Sequence, residues 1–554
     1  MKRLLNTIAH PAIALLLLCF VSTAGARTIC VDANAVGAND GSSWTDAYNY
    51  LQDALGDANA STKPVQIRVA QGVYKPDRST AAPNGTGNRE ATFQLISGVT
   101  LKGGYAGFGH PDPNACDAEV YKTILSGDLE SNDDVNDIDV LDPCDLLNRP
   151  SRAENSYHVS NGSRTDATAI MDGLIITGGN ANFMKIPPGP HDKGGGMYND
   201  SGNPTLIHCT FSNNAAYYGG AMYNGCINTC IRPPCPPPCQ GGGPTLSNSI
   251  FSNNSARING GGMFNYNSTS TLISCIFSRN SAEWRGSGML NAYSSPTVIN
   301  CILWDNSDSQ IEGPASVIYS NIEGGWPGVG NIDVDPCFVA VGYWDPNGTP
   351  ADANDDYFVE GDYHLKSQAG RWDPVSKQWV KDKVTSPCID AGDPRSPIGY
   401  EPFPNGGRVN MGAYGGTTEA SKSYFGAPLC ETIVAGDING DCIVDVQDFA
   451  FMASHWLADA QRASNPNPPD GSVGIRTDPV LSWVPGAGAT SHDVYFGSAD
   501  PPSFRANQTT TMFSPGLLSA ETAYYWRIDE VVNADGKTTG LVWSFTTGTG
   551  SPPR

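Results

Sequence analysis

The sequence predicts an all-β protein: a parallel β-helix, then a short EF-hand-like loop-helix module, then a C-terminal β-sandwich. Three observations carry this: a repeat that returns at steps of 25 and 26 residues, with one longer step that contains an insertion, an oxygen-rich loop starting at Asp437, and alternating strands with aromatic anchors beyond Val480. Composition sets the outer bounds. Acidic residues number 56 against 33 basic ones, for a net charge of -23. Such a chain repels nucleic acid and anionic membranes and suits solubility outside a cell.

Taken in order, residues 1–26 read as an export signal. Lys2 and Arg3 give a basic start, Ile13 to Val21 an apolar stretch too short to span a bilayer, and Ala24-Gly25-Ala26 a small-residue cleavage site. No later stretch is long and apolar enough for a transmembrane helix. Export would put the remaining cysteines in an oxidising compartment. Ser43 to Leu55 reads as an amphipathic helix capping the open end of the solenoid, with strands beginning at Gln66 to Tyr74.

The repeat itself is plain. Gly194-Gly-Gly-Met-Tyr-Asn199 returns at Gly219, Gly260 and Gly286. Pro204-Thr-Leu-Ile-His-Cys-Thr-Phe-Ser-Asn-Asn214 returns from Pro244, Ser270 and Pro296. Each unit holds short β-type runs broken by Gly and Asn, and none can bury its own apolar face, so neighbours must stack. Stacking predicts inward columns: Cys209, Ser249, Cys275, Cys301; then Phe211, Phe251, Phe277, Leu303. Asn214, Asn254, Asn280 and Asn306 form a third column, suited to a tight left-handed turn and to bonding from coil to coil. Adjacent rungs lie about 4.8 Å apart, too wide for easy cross-linking, so the cysteine column reads as free core thiols. Cys226, Cys230, Cys235 and Cys239, in a proline-rich insertion, read instead as two local disulfides.

The GGGMYN and CxFSxNxA patterns resemble bacterial proteins of the pectin-lyase-like superfamily, which implies a right-handed parallel β-helix over residues 27–425. Pro387 to Asp393 and Asn410 to Gly416 resemble that family's closing segment. The resemblance implies either carbohydrate binding or cleavage of polysaccharide by calcium-dependent elimination or paired-carboxylate hydrolysis.

Beyond Cys430, Asp437, Asn439, Asp441, Asp445 and Asp448 fall at positions 1, 3, 5, 9 and 12 of a loop, with the Ile443 carbonyl at position 7. Calcium wants six or more oxygens around such a loop. This loop and the helix after it resemble a type I dockerin, the module that attaches polysaccharide enzymes to scaffold proteins, assigned to 430–458. Only one loop is present, and Cys442 stands where glycine usually turns the chain. Cys430 and Cys442 are expected to pair. Residues 459–472, with Asn465-Pro-Asn-Pro-Pro469, read as a linker. Strands at Val480, His492, Thr522 and Val542 resemble a fibronectin type III domain over 473–549.

Chemistry is harder to place. His208, Arg257, Arg279, Glu283, Arg285 and Asp305 look scattered over the repeats without partners. Asp128, Glu130, Asp133, Asp134, Asp137, Asp139 and Asp142 form a dense acidic loop, either solvated or holding calcium. Asp333 and Asp335 look structural, and Trp284, Trp304 and Trp326 are candidates for a sugar platform. No residue qualifies as catalytic. The regular coils favour a secreted or cell-surface protein that binds carbohydrate or a scaffold partner without catalysis; the alternative is an extracellular polysaccharide lyase or glycoside hydrolase.

Overall fold

The structure is a computed structural model; it describes residues 27–133, 143–184, 189–225, 242–345, 357–424, 462–532 and 537–549. The expected export signal (residues 1–26), the Cys226–Cys239 cluster, the expected calcium ligands Asp437 to Asp448 and the cysteines Cys430 and Cys442, expected to pair, all lie outside those residues. Two units are present, residues 1–424 and 425–554.

The first unit is a right-handed parallel β-helix. Its walls are a nine-stranded sheet from Arg27–Val31 to Ser316–Ile318, an eight-stranded sheet from Gly72–Tyr74 to Asn321–Ile322, and a seven-stranded sheet from Phe93–Gln94 to Ile311–Glu312. We call these the first, second and third walls. A short four-stranded sheet fills the corner between the second and third. The repeats stack in the register their sequence demands. Phe211, Phe251, Phe277 and Leu303 pair in succession, as do Met197, Met222, Met263 and Met289. All eight are fully buried. The rings of Phe211, Phe251 and Phe277 stack nearly parallel, with centroids 4.9 and 4.4 Å apart.

Cys209, Cys275 and Cys301 are free thiols with no exposed surface, and burial pushes the Cys209 thiol up to about 12. Asn214, Asn254, Asn280 and Asn306 form a continuous buried ladder, each amide nitrogen donating to the next side-chain oxygen at 2.9 to 3.1 Å. The tight turn is displaced from its expected position. Asn213, Asn253, Arg279 and Asp305, one residue earlier, take the left-handed backbone; the ladder residues themselves turn their amides inward. A second ladder runs through Asn199, Asn224, Asn265 and Asn291. Gly195, Gly220 and Gly261, two residues before their methionines, have a steric cause, and Ser287 takes their place on the fourth coil. A Cβ at Gly220 would sit 2.4 Å from the Ser255 carbonyl oxygen and 2.5 Å from that of Gly261, on the next coil.

At the amino end, the helix covers Leu51–Ala60 rather than Ser43–Leu55. Residues before it are already committed: the Tyr48 backbone exchanges hydrogen bonds with Cys30 and Asp32, and Ser43 and Asp46 close a turn on each other. Those backbone groups cannot also serve a helix. Its apolar face is Leu51, Ala54, Leu55 and Ala58, all buried against the solenoid's main core. Strands also begin earlier than Gln66, because Arg27–Val31 pairs with Val65–Ala70 to open the first wall.

The segment after Pro336 behaves unlike a closing coil. Phe338, Tyr363, Leu365, Cys388, Ile389, Met411 and Ala413 pack on Ile250, Ile276 and Ile302, the outward residues of the second wall. Asn248 and Asn300 bind this cover through its backbone at Ala413, Gly415 and Asp393. It is a flank cover on the side of the helix.

The second unit is a β-sandwich of a three-stranded and a six-stranded sheet around Leu481, Trp483, Val494, Phe496, Trp526, Ile528, Trp543 and Phe545. Its first strand, Ser464–Asn467, lies in what reads as linker: it pairs antiparallel with Leu481–Val484. It is an edge strand, where prolines such as Pro466 are tolerated.

Candidate functional site

Where the flank cover ends, the second wall is left partly open. Outward Ile250 gives way to Thr210 on the preceding coil, with Ser212 two residues on. A cleft forms there between the wall, the cover and the loop leading into Thr123–Ser126. It is lined by Glu119, Lys122, His208, Thr210, Ser212, Glu360, Tyr363 and Tyr414, among others.

Three elements position these groups. In the loop, the Asp117 carboxylate accepts the backbone N–H groups of Glu119 and Val120, fixing a turn that presents Glu119 and Lys122. Glu360 precedes the cover strand Asp362–Leu365; its two carboxylate oxygens accept Ser252 Oγ at 3.2 Å and Asn213 Nδ2 at 3.5 Å. Tyr414 comes from the far end of the cover, and its hydroxyl donates to Glu119 Oε1 at 3.5 Å.

Behind Tyr414 sits His364, only 1 % exposed, its ring stacked on the tyrosine at 3.6 Å. Its Nδ1 donates to Asp362 at 2.6 Å, and its Nε2 is ion-paired with Glu419 at 3.5 Å. Burial alone would deprotonate this imidazole, but the two flanking carboxylates outweigh it and raise it to about 9. Desolvation raises Glu119, reinforced by the nearby Glu419 and opposed by Lys122. Desolvation also raises Glu360, opposed by hydrogen bonds from Ser212 and Ser252 and by Lys122. Burial thus pushes both carboxyls up and Lys122 opposes it at both; the Ser212 and Ser252 hydroxyls oppose it further at Glu360, and at Glu119 the Glu419 carboxylate reinforces it while His364 opposes it.

At the wall side, Lys102, Asp172 and His208 line up on successive coils: Lys102 reaches Asp172 at 2.5 Å and His208 Nδ1 approaches it at 3.2 Å. Burial would raise Asp172, but His208 and Lys102 hold it below the usual carboxylate range. His208 is exposed, and only it of the three reaches the cleft.

The other charges are paired rather than isolated. Arg279 meets Asp305 at 2.8 Å, Arg285 meets Glu312 at 3.5 Å, and Arg257 meets Glu283 at 3.9 Å, each across one coil. None of these pairs borders the cleft. The acidic loop is not simply solvated either. Asp133 bonds Arg152 at 3.2 Å and the fully buried Asn155 at 2.8 Å, and Asp128 lies 3.8 Å from Lys75. Oxygens of Asp128, Asp133 and Glu154 come within 4.8 Å of one another, close enough to share a cation, while Lys75 lies against Asp128 and Arg152 against Asp133. Asp134, Asp137, Asp139 and Asp142 lie outside the described residues. Asp333 and Asp335 accept backbone N–H groups of Gly324 and Cys337, as turn residues do. The three tryptophans sit in different surroundings: Trp284 is 68 % exposed, Trp304 packs under the flank cover, and Trp326 packs against the main core.

Comparison with known proteins adds one family. A model of the family described as disaggregatase related matches residues 205–392. That span holds His208, Thr210, Ser212, Glu360 and His364, but not Glu119, Lys122 or Tyr414. No curated protein matches. One solved structure, described as "Structure of FN3tt mut", is 22% identical over 15% of this chain and 98% of its own, with a TM-score of 0.12. No helix among the described residues is long and apolar enough to cross a membrane.

Proposed function

We propose that this is an exported, surface-associated β-helix protein that engages a polysaccharide chain along the second wall, at the cleft beside the flank cover. One observation carries the reading: carboxyls, a lysine, an imidazole and hydroxyls from three separate elements converge on one exposed cleft. Sugars are recognised by such mixed donors and acceptors. The cleft volume, ≈ 100 Å³, is below the roughly 300 Å³ at which pockets begin to engulf a ligand. It suits one linkage of a chain that passes over the surface. The export-like residues 1–26 and the acid excess support an extracellular setting.

Affinity electrophoresis through gels carrying neutral or acidic polysaccharides tests this. Retardation by at least one glycan, abolished by Thr210→Trp, which fills the cleft, is the expected result. Equal retardation of this variant and the wild type would place binding elsewhere.

The tail is read as a calcium-stabilised module, with Asp437, Asn439, Asp441, the Ile443 carbonyl, Asp445 and Asp448 as ligands and a Cys430–Cys442 disulfide bracing it. A scaffold or surface protein is the partner such a module would meet, and the sandwich is read as a fibronectin type III-like spacer. Four aspartates around one loop repel unless a cation lies among them. Chelator is therefore expected to lower the melting of residues 430–458, with no change in the β-helix transition. Asp437→Ala with Asp448→Ala is expected to erase that response; a chelator response surviving in this double variant would show the calcium ligands lie elsewhere.

A further inference from the structure

We propose that Lys75 and Asp128 become joined by a side-chain amide bond, formed by the folded chain itself, with Glu154 carrying the protons. The bond is a covalent staple between two neighbouring coils at the amino end of the β-helix.

Position comes first. Gly72–Tyr74 and Thr123–Ser126 are adjacent parallel strands of the second wall, with Tyr74 opposite Leu125. Lys75 follows the first strand directly, and Asp128 comes two residues after the second. The wall therefore delivers both side chains to one corner, on successive coils. Lys75 Nζ lies 3.8 Å from Asp128 Oδ1, and the two side chains are only 6 % and 15 % exposed.

An ordinary ion pair fits these contacts badly. A buried ammonium needs close, hydrogen-bonded carboxylates. Lys75 instead donates to the Ser131 hydroxyl at 2.6 Å, and Asp128 at 3.8 Å is its one ion pair among the described residues. Desolvation lowers Lys75 below the ordinary lysine range, with Asp128 opposing. A lysine relieved of its proton is a nucleophile.

The carboxyl it faces is held for attack. Asp128 Oδ1 accepts the backbone N–H groups of Ser131 at 2.5 Å and Asn132 at 3.2 Å, and Oδ2 accepts that of Asp133 at 3.3 Å. Two N–H groups on one oxygen are what a tetrahedral oxyanion requires. Oxygens of Asp128, Asp133 and Glu154 lie within 4.8 Å of one another, but the two neighbours of Asp128 differ. Asp133 is engaged by Arg152 and Asn155. Glu154 Oε1 is buried with no hydrogen-bond partner. Desolvation raises Glu154, and the surrounding Asp133, Asp128 and Glu130 add to it. Glu154 is thus the carboxyl with a proton to give.

In the step, the ammonium proton passes to Asp128 Oδ2, leaving an amine and a carboxylic acid. The Nζ lone pair bonds to Cγ, and the Cγ–Oδ1 π pair moves onto Oδ1 beneath its two N–H donors. As that pair returns, the Cγ–Oδ2 bond breaks with its electrons on Oδ2. Oδ2 takes the Glu154 proton and leaves as water, and Glu154 regains a proton from Nζ. One amide and one water result, with no oxidant or other reactant. The chain gains a cross-link that thiol reduction cannot open.

The full chain, reduced and denatured, is tested by intact mass spectrometry and tryptic peptide mapping. The expected mass is one water below that calculated from the observed amino terminus. The map should hold a branched peptide in which the Lys75 side chain carries Asp128. Lys75→Met and Glu154→Gln should each restore the full mass and remove the branched peptide. The wild-type map reads the bond directly, so a variant that fails to fold does not decide the matter. Full mass in the wild type, with Lys75 and Asp128 in separate linear peptides, overturns the proposal; the pair is then an ion pair only, or the carboxylates hold a cation. A water missing from a linear peptide that contains Asp128, the mark of a cyclic imide, overturns it as well. A branched peptide at wild-type yield in Glu154→Gln overturns the role given to Glu154.

Discussion

Asn254→Ala is expected to cost the β-helix about 3 to 5 kcal/mol, seen as a large drop in the denaturant midpoint of the first unit. Asn254 has no exposed surface, and its amide nitrogen donates to the carbonyls of Phe211 and Ser252 and to Asn280. Its oxygen accepts both the backbone and the side-chain N–H of Asn214. Alanine removes all five bonds at once. A typical bond contributes about 1 kcal/mol net, and a buried donor left without an acceptor costs ~1–3 kcal/mol more. The Asn214 backbone N–H becomes such a donor. Asn254→Asp should be worse, although it keeps the shape: two carbonyls that received an N–H would then face a carboxylate oxygen, and an ion would be buried without a partner. A midpoint for Asn254→Ala within ~0.5 kcal/mol of the wild type would mean that the ladder is incidental to stability.

That ladder was legible in the sequence because each coil repeats the same letters, and a parallel stack converts repetition into vertical columns. Phe211, Phe251 and Phe277, or Met222, Met263 and Met289, needed only the matching letters on either side of the insertion to be placed in register. The reading erred where backbone competition decides. Residues 43–50 have a helical pattern, but Tyr48 is taken by the first wall. Asn213 and Asn214 are both asparagine, so the letters could not say which turns left-handed.

The cleft was hidden for a different reason. Glu119, Glu360 and Tyr414 come from a loop and from the two ends of a non-repeating cover, and no spacing rule joins them. One signal of the cover was nevertheless present. Ile250-Phe251, Ile276-Phe277 and Ile302-Leu303 place apolar side chains on both faces of the second wall. A strand exposed on one face alternates apolar and polar residues; three successive coils that do not must be covered outside as well as inside. The change to Thr210-Phe211 then marks the coil where cover stops and solvent begins. The fold and its open edge could therefore have been inferred from the letters, whereas the residues facing that edge could not.

The second large effect concerns the phenylalanine column. Phe251→Ala is expected to destabilise the first unit by about 3–5 kcal/mol, the range for emptying a buried aromatic site. The ring is fully buried and stacks on both neighbours, at 4.9 Å to Phe211 and 4.4 Å to Phe277. Rungs hydrogen-bonded above and below cannot close the gap, so the void should persist and two ring faces lose their contact. Phe251→Leu should cost far less, because the same column already accepts Leu303 two coils later without exposing it. Trp284→Ala supplies the contrast: a larger side chain is removed, but from a position 68 % exposed, and the midpoint should barely move. The check is thermal and denaturant unfolding of the three variants beside the wild type. Equal losses for Phe251→Ala and Phe251→Leu would show that ring stacking, rather than filled volume, holds the column together.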